Sequence, residues 1–401
     1  MRIVMFYHTL LSDWNHGNAH FLRGIVAELL DRGHTVELYE PAWAWSLEQL
    51  IGEHGTGPVA EFRSRYPNLK SIRYYGTPNG WVRKALLKHA WGKLTHHPLS
   101  SLPLVRLDLD KVLKDADLVL VHEWSEHWLV EAVGEHKKRA GGYPLLFHDT
   151  HHRSVTKPIE MAGYKLEAYD GALCFGKVIR DLYVAYAWAK RAWTWHEAAD
   201  TRVFHPIPDQ PREGDLVWVG NWGDDERTKE LHEFLLRPVK ELKLKARVHG
   251  VRYPDDAKKA LKDAGIEYAG WLPNYKAPEV FARYGVTVHV PRRPYVQKLP
   301  GIPTIRVFEA LACGIPLVCS PWDDAEGLFT PGEDFLMAQN GEEMKRHLQT
   351  ILTDETFAGQ LAERGLQTIK DRHTCAHRVD ELMNIVEDLR AGRAGKVVSA
   401  A

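Results

Sequence analysis

A loop rich in proline and glycine opens a helix that carries an acid about one turn in. The segment runs from Leu299 to Pro316, with an acid at Glu309 and Gly314 ending the helix. Exposed N–H groups at a helix start bind anions, so we expect this turn to hold a diphosphate. The residues expected to do so are Pro303, Thr304, Ile305 and Arg306. Glu309 can accept hydrogen bonds from ribose hydroxyls, as acids do in nucleotide sites, or it can pair locally.

A second cluster of possible phosphate ligands follows the apolar run Leu216–Gly220. Arg227 and Lys229 stand at the start of the next predicted helix. A guanidinium can hold a pyrophosphate with two hydrogen bonds, and an ammonium adds a point charge. The intervening acids Asp224–Glu226 allow another interpretation, in which they cap the helix and neutralise Arg227.

Histidine and aspartate cluster directly after another predicted strand, Pro144–His148. His148 can hydrogen-bond a sugar hydroxyl, and Asp149 and His151 can accept a proton. The same residue types could bind zinc, but neighbours on one short loop rarely converge on one tetrahedral ion, and no HExxH pattern is present. We therefore predict no metal site, and a solvated polar loop remains the alternative.

The loop after the first strand contains Gly17 and Asn18. Gly17 permits close backbone approach, and the N–H groups that follow could bind a hydroxyl or an oxyanion. The alternative is a tight turn in which Asn18 caps the helix. The pattern is not GxGxxG, so dinucleotide binding is not expected here.

The loops described above connect the strands and helices of two predicted α/β domains. Strand and helix signals alternate from Arg2 onward and begin a new cycle at Leu216, after a proline-rich stretch at 200–208. This pattern predicts two doubly wound, Rossmann-like parallel sheets with an interdomain cleft for the ligand. We expect an amino-terminal domain at 1–203, a carboxyl-terminal domain at 210–375 and a flexible tail at 392–401. A last helix near 376–391 could pack back on the first domain.

The composition restricts the partners. Fifty-two basic and 53 acidic residues give a net charge of −1, which provides no long-range field for nucleic acid. The four cysteines lack the spacing of a metal site or a disulfide framework. The apolar run at the amino terminus is too short for a signal peptide, so a cytoplasmic location is expected. The basic segment 82–97 and the Trp-rich run 183–195 could touch a membrane, but solvated or packed faces are the favoured interpretation.

Three ordered signatures resemble GT-B glycosyltransferases, most closely the branch related to spore-maturation proteins and near the large retaining family four. They are GNAHFLRGIVAELLDRGHTV, HEAADTRVFHP and RVFEALACGIPLVCSPWDDAEGLFTPGEDFLMAQNGEEM. The resemblance implies that Glu309 binds the nucleotide ribose, that the loop before it and Arg227 with Lys229 hold the diphosphate, and that His148 lies near the reacting sugar. It also implies that Gly17 and Asn18 form the glycine loop near the acceptor. Residues implied to lie near the base are Gly270, Trp271 and Leu272.

The resemblance implies transfer of a sugar from a nucleotide-diphosphate donor, a UDP- or GDP-sugar, to a hydroxyl of a carbohydrate, protein or small molecule. No metal and no other cofactor are expected. Retaining members often carry a second glutamate, and Gly301 stands at that position here. Retention needs no protein nucleophile, whereas inversion needs a base among His148, Asp149 and His151. An epimerase on the same fold and a noncatalytic sugar-nucleotide or glycan-binding protein remain the alternatives, and the oligomeric state is left open.

Overall fold

The computed structural model describes residues 1–76 and 102–392, which divide into two compact units. Unit 1 contains Met1–His196 together with the segment that begins at Arg378, and unit 2 is Glu197–His377. The expected linker at 200–208 belongs to unit 2, where Ala199 pairs with Thr374. The basic segment 82–97 and residues 393–401 of the expected tail lie outside the described residues.

Unit 1 is built on a parallel sheet. In the described residues its spatial order is β4-β3-β2-β1-β5-β6-β7-β8. The strands are β1 (Arg2–Phe6), β2 (Thr35–Pro41), β3 (Ser71–Tyr75), β4 (Val105–Arg106), β5 (Leu118–His122), β6 (Leu145–Asp149), β7 (Gly171–Cys174) and β8 (Ala192–Thr194). The direction of winding reverses between β1 and β5, where Ile3 is paired with Leu118. Loops that follow these two strands therefore flank the crevice in which doubly wound sheets bind ligands.

Helices connect the strands of unit 1, and the central strands are buried. The helices are α1 (Ala19–Asp31), α2 (Trp45–His54), α3 (Gly57–Arg65), α4 (Leu109–Val112), α5 (His127–Ala140), α6 (Arg153–Thr156), α7 (Pro158–Ala162) and α8 (Lys177–Ala185). All residues of β5 and β6 are buried. Continuous apolar runs such as LVLV and LLF are typical of strands covered on both faces, which explains why they were recognisable in the sequence.

Unit 2 has a second parallel sheet of order β11-β10-β9-β12-β13-β14. Its strands are β9 (Gly214–Val219), β10 (Ala246–His249), β11 (Ile266–Tyr268), β12 (Tyr284–His289), β13 (Leu317–Cys319) and β14 (Leu336–Met337). Its helices are α9 (Thr228–Leu231), α10 (Arg237–Leu242), α11 (Asp255–Asp263), α12 (Ala277–Phe281), α13 (Arg293–Lys298), α14 (Ile305–Ala312), α15 (Gly341–Thr353) and α16 (Glu355–Arg372). The winding reverses between β9 and β12, so the loops after these strands flank the second crevice.

The helix predicted at Thr228–Leu242 is interrupted by a π-helical turn, His232–Leu236. Pro238 stands two residues after the end of this turn and has no N–H to donate. A π-helical turn just before a proline accommodates the loss of the hydrogen bond that the proline nitrogen cannot donate. The spacing of apolar residues in the sequence does not reveal such a turn.

The last helix, α17 (Cys375–Arg390), starts in unit 2 and continues into unit 1. Within unit 1, the Trp195 Nε1–H donates to the carbonyl of Arg378 at 2.8 Å. Arg390 lies 3.2 Å from a carboxylate oxygen of Asp117. Val379, Leu382 and Val386 are buried, so this helix supplies part of the unit 1 core.

Candidate functional site

The loop after β9 is organised by Arg227. Its guanidinium donates to the carbonyls of Trp222 at 3.3 Å and Val290 at 2.9 Å, and also to Asn221. The Val290 contact spans the point where the winding of unit 2 reverses, between β9 and β12. The guanidinium also lies 5.0 Å from the ring centroid of Trp218. Backbone oxygens thus hold Arg227 at the crevice of unit 2.

Two further guanidinium groups lie close to Arg227. Arg292 donates to Asn221 Oδ1 at 3.0 Å, and the same oxygen accepts from Arg227 at 2.8 Å. Burial and, after it, the positive charge of Arg292 and of Arg306 lower the pKa of Arg227 to about 9. Arg292 and Arg306 are themselves paired with Glu226 and Glu309, whereas Arg227 has no carboxylate partner among the described residues. A bound anion would stabilise the buried charge of Arg227. Arg292 was missed in the sequence because it lies outside the recognised loops.

The acids of this loop do not form ion pairs with Arg227. Glu226 lies 2.9 Å from Arg292, and Asp224 lies 3.3 Å from Arg252. The predicted partner Lys229 is exposed on α9. The structure therefore places Arg292 beside Arg227, through the shared oxygen of Asn221, and leaves Lys229 exposed to solvent.

The amino terminus of α14 lies at the end of the second crevice loop. Thr304 precedes this helix, makes no side-chain cap hydrogen bond, and has no acid in the turn after it. Its hydroxyl instead lies 3.0 Å from Nε2 of His289, the last residue of β12. Pro303 and Ile305 are buried on either side. The uncapped first turn is a suitable place for a negatively charged ligand.

Glu309 is completely buried and forms an ion pair with Arg306, one turn earlier on α14. The local pairing considered for Glu309 in the sequence is thus present.

Gly301, at the position of the missing second acid, has φ of +84°. A Cβ atom there would lie 2.5 Å from Cγ of Glu326. The side chain of Glu326 therefore occupies the space next to the loop that a residue 301 side chain would need. Its own loop is held by Asp324, which accepts from the N–H groups of Leu328 and Phe329 at 3.1 and 2.8 Å.

The segment predicted to lie near the base follows β11. Trp271 and Leu272 are half-buried. The carbonyl of Gly270 accepts from the N–H of Gly250 at 2.8 Å, and the Tyr253 hydroxyl donates to the carbonyl of Gly220 at 2.8 Å. The chain segments after β9, β10 and β11 are therefore tied together at one sheet edge.

In unit 1, His148 is fully buried at the end of β6. Its Nδ1 is hydrogen-bonded to the Tyr7 hydroxyl at 2.8 Å, and its ring packs 4.8 Å from that of Trp195. Burial lowers the pKa of His148 to about 3, so the ring is neutral at pH 7. Its Nε2 makes no hydrogen bond within the described part of the chain.

The neighbouring residues Asp149 and His151 differ in exposure. Asp149 is buried and accepts from Ser154 at 2.5 Å, from Tyr183 at 2.9 Å and from the His151 N–H at 3.1 Å. Burial raises the pKa of Asp149, although these hydrogen bonds oppose the shift. His151 is half-buried and lies 5.3 Å from the ring of Trp124. Asp149 thus organises the loop. His151 is the most accessible of the three predicted catalytic residues, His148, Asp149 and His151.

The glycine loop is fixed by a buried ion pair rather than by a helix cap. Asn18 precedes α1 without a side-chain cap hydrogen bond, which contradicts the capping alternative. Arg23 on α1 lies 2.8 Å from Asp13, and both side chains are less than 5% exposed. Gly17 lies between these anchors and is half-buried.

No group of three or more histidine, cysteine or acidic side chains is arranged to hold a metal ion in residues 1–76 and 102–392. In the same residues, every helix is too short or too polar to cross a bilayer.

The chain resembles known glycosyltransferases in part of its sequence and throughout its fold. Residues 227–384 match the family described as glycosyl transferase-like. The sucrose-phosphate synthase of Thermosynechococcus elongatus has 14% identity and a TM-score of 0.65 over 98% of this chain and 100% of that one. HepE of Anabaena, in complex with UDP and glucose, has 12% identity and a TM-score of 0.59 over 97% and 100%.

An α-glucosyltransferase bound to UDP and a 13-mer DNA has 12% identity and a TM-score of 0.61 over 96% of this chain and 99% of that one. No curated protein sequence matches. The predicted fold class, GT-B with two parallel-sheet Rossmann-like domains, is confirmed. With a glycosyl transferase-like segment in this fold, the chain is an enzyme of the glycosyltransferase type.

Proposed function

We propose that this chain transfers a sugar from a nucleoside-diphosphate donor, a UDP- or GDP-sugar, to a hydroxyl acceptor with retention of configuration and without a metal ion. The observation that carries the proposal is the position of Arg227, held beside Arg292 by Asn221 Oδ1 at the crevice of unit 2, which also contains the uncapped start of α14. Relatives in fold support the donor class, since HepE and the α-glucosyltransferase contain UDP. The closer relationship to the spore-maturation branch is part of the same proposal and rests on the run 306–344.

In this reaction the diphosphate leaves with growing negative charge while the anomeric carbon becomes positive. Arg227 is held by carbonyl oxygens, so little reorganisation is needed when the charge develops. Preorganised cations and N–H groups of this kind stabilise a leaving group without a metal. Glu309 would accept from the ribose, and Trp271 and Leu272 would lie near the base.

Retention fits the state of the predicted bases in unit 1. His148 and Asp149 are buried, and Asp149 accepts three hydrogen bonds, so neither is suited to take a proton from an acceptor in solution. His151 would be the base of an inverting enzyme. A cytoplasmic location is also part of the proposal, since all four cysteines are buried free thiols.

A thermal-shift screen tests the donor class. Binding stabilises the folded protein by about 2.7 kcal/mol at 100 times Kd, so the correct donor among UDP-, GDP-, ADP- and TDP-sugars should raise the melting temperature. Incubation of that donor with and without acceptors, in EDTA, separates transfer from epimerisation and from binding alone. NMR of the product's anomeric proton gives the stereochemistry. If no nucleotide sugar raised the melting temperature, the proposal would fail.

A further inference from the structure

Aromatic rings from four neighbouring strand ends meet at the carboxyl edge of the unit 1 sheet. His8 follows β1, Trp45 begins α2 after β2, Trp124 follows β5 and His151 follows β6. We call these four residues the aromatic row. Ring centroids are 4.9 Å apart for His8 and Trp45, 6.2 Å for Trp45 and Trp124, and 5.3 Å for Trp124 and His151. The row therefore extends across the point where the winding of this sheet reverses, where doubly wound domains bind ligands.

The row is partly open to solvent. Trp45, Trp124 and His151 are half-buried, whereas His8 is buried. The guanidinium of Arg153 lies 4.2 Å from the centroid of Trp124, which restricts the orientation of that indole. Large aromatic side chains that are fixed in place and only partly covered leave apolar area available to a ligand.

Polar atoms lie beneath the rings. His16 packs edge-on against His8 at 5.4 Å, and its buried Nε2 makes no hydrogen bond in the described residues. His8 Nε2 accepts a long hydrogen bond from the N–H of Ser46, at 3.4 Å. Buried polar atoms normally have partners, so an unpaired imidazole nitrogen next to a partly open row indicates a ligand that supplies one.

In residues 1–76 and 102–392, the two arginines next to the row are held by acids. Arg23 pairs with Asp13, and Arg153 pairs with Glu123 and with Glu160. Burial lowers the pKa of His8 to about 3 and that of His16 well below its ordinary value, so both rings are neutral. Among these described side chains, an anionic ligand would have to compete with the paired carboxylates for its charge-assisted donors. A purely aliphatic ligand would leave the imidazole nitrogens unsatisfied.

We propose that the aromatic row is the acceptor subsite and that it binds a neutral carbohydrate. Sugar C–H groups, which carry partial positive charge, stack on the negative faces of Trp45 and Trp124. Hydroxyls of the same sugar hydrogen-bond to the imidazoles of His16 and His151. This inference rests on the proposed function, since it identifies the substrate that receives the sugar.

The test is a glycan array containing neutral, sialylated and sulfated oligosaccharides, probed with the labelled full-length protein. We expect binding to neutral glycans. Titration of the best neutral glycan should show at least tenfold weaker binding to Trp124→Ala and intermediate binding to Trp124→Phe, which keeps a smaller ring. Trp188→Ala is the matched control, because Trp188 is a half-buried indole of unit 1 that packs on Tyr183 and Tyr186 instead.

Donor binding is measured on the same variants by thermal shift. Weaker glycan binding with an unchanged donor shift supports the subsite and excludes a general loss of folding. The proposal is overturned if no neutral glycan binds, if only anionic glycans bind, or if Trp124→Ala and Trp188→Ala bind the glycan equally. Failure of the proposed function is a separate result, since it would appear as absent donor binding while glycan binding persists.

Discussion

The carboxylate of Glu309 is completely buried and forms an ion pair with Arg306, one turn earlier on the same helix. This pair links the residue expected to hold the ribose to one of the three cations expected to hold the diphosphate. Any change at Glu309 should therefore affect both parts of the donor site.

Glu309→Gln should weaken binding of the nucleoside diphosphate. Loss of a charged hydrogen bond costs about 1.5–3 kcal/mol, or roughly a 10- to 150-fold increase in Kd. Calorimetric titration with UDP and with 2′-deoxy-UDP distinguishes ribose contact from indirect effects. The wild type should prefer the ribose form, and the variant should have lost that preference. Equal preference in both proteins would remove Glu309 from the ribose site.

Arg292→Ala should slow transfer more than it reduces stability. Arg292 is half-buried on a loop, and its acid partner Glu226 is partly exposed, so water can replace the lost contacts. If Arg292 stabilises the leaving diphosphate, kcat should fall roughly 10²–10³-fold, as on removal of other preorganised donors. Steady-state kinetics and thermal unfolding measure the two effects. Arg252→Ala, which removes the nearby pair with Asp224, is the control and should retain activity.

Gly301→Ala should destabilise unit 2 by displacing Glu326. The added Cβ would lie 2.5 Å from Glu326 Cγ, and φ of +84° disfavours any side chain. The backbone alone costs about 1–2 kcal/mol, and the contact adds to it. In a Glu326→Ala background only the backbone cost should remain, so a double-mutant cycle in urea should give a coupling energy. Additive effects would mean that Glu326 is not held against Gly301.

Asp13→Asn should destabilise unit 1 far more than a comparable change at the surface. The Asp13–Arg23 pair is nearly inaccessible to solvent, and breaking such a pair leaves a buried charge at a cost of about 3–5 kcal/mol. The Arg32–Glu28 pair on α1 is partly exposed, so Glu28→Gln should cost about 0.5 kcal/mol. Urea unfolding followed by tryptophan fluorescence compares them. Similar losses would indicate that Asp13 does not anchor the glycine loop.

His8 and His148 should each contribute a loss of stability to unit 1 as the pH falls below 6.5. His8 and His148 have pKa values lowered to about 3 in the folded state, while unfolded histidine titrates near 6.5. The unfolded chain thus binds more protons between these values, so the free energy of unfolding decreases with falling pH by about 1.4 kcal/mol per pH unit for each histidine. His148→Gln should reduce this slope by about one histidine's share, as measured by urea unfolding between pH 4 and 6. An unchanged slope would mean that His148 is protonated in the folded protein.

The sequence contained enough information for the fold class because the buried strands are strongly apolar. Runs such as Leu118–His122 and Leu216–Gly220 were recognisable from composition alone. Strands β3 and β8 were not predicted, because Ser71–Tyr75 mixes polar and aromatic residues and Ala192–Thr194 is short. Their pairing depends on neighbouring strands that lie far away in the sequence.

The candidate site was predictable only where a motif and a strand end coincide. Arg227 and the turn before Ile305 met that condition, and both lie at the crevice of unit 2. Arg292 and Trp124 did not, since their positions follow from the lateral order of the strands. Residue type alone was also insufficient at two positions. Lys229 was predicted to bind phosphate, but its side chain is exposed. Asn18 was considered as a helix cap, but its side chain makes no cap hydrogen bond.

The course of the last helix has a consequence for how the chain folds. Because residues 378–390 complete the core around Trp195, unit 2 is inserted into unit 1 as one uninterrupted stretch, Glu197–His377. During synthesis on the ribosome, unit 1 is translated first but cannot complete its core until residues 378–390 have been made. Until then Trp195 lacks the carbonyl of Arg378 as its hydrogen-bond acceptor. Unit 2 needs no such delay, so an excised 197–377 fragment is the natural starting point for isolating a donor-binding module.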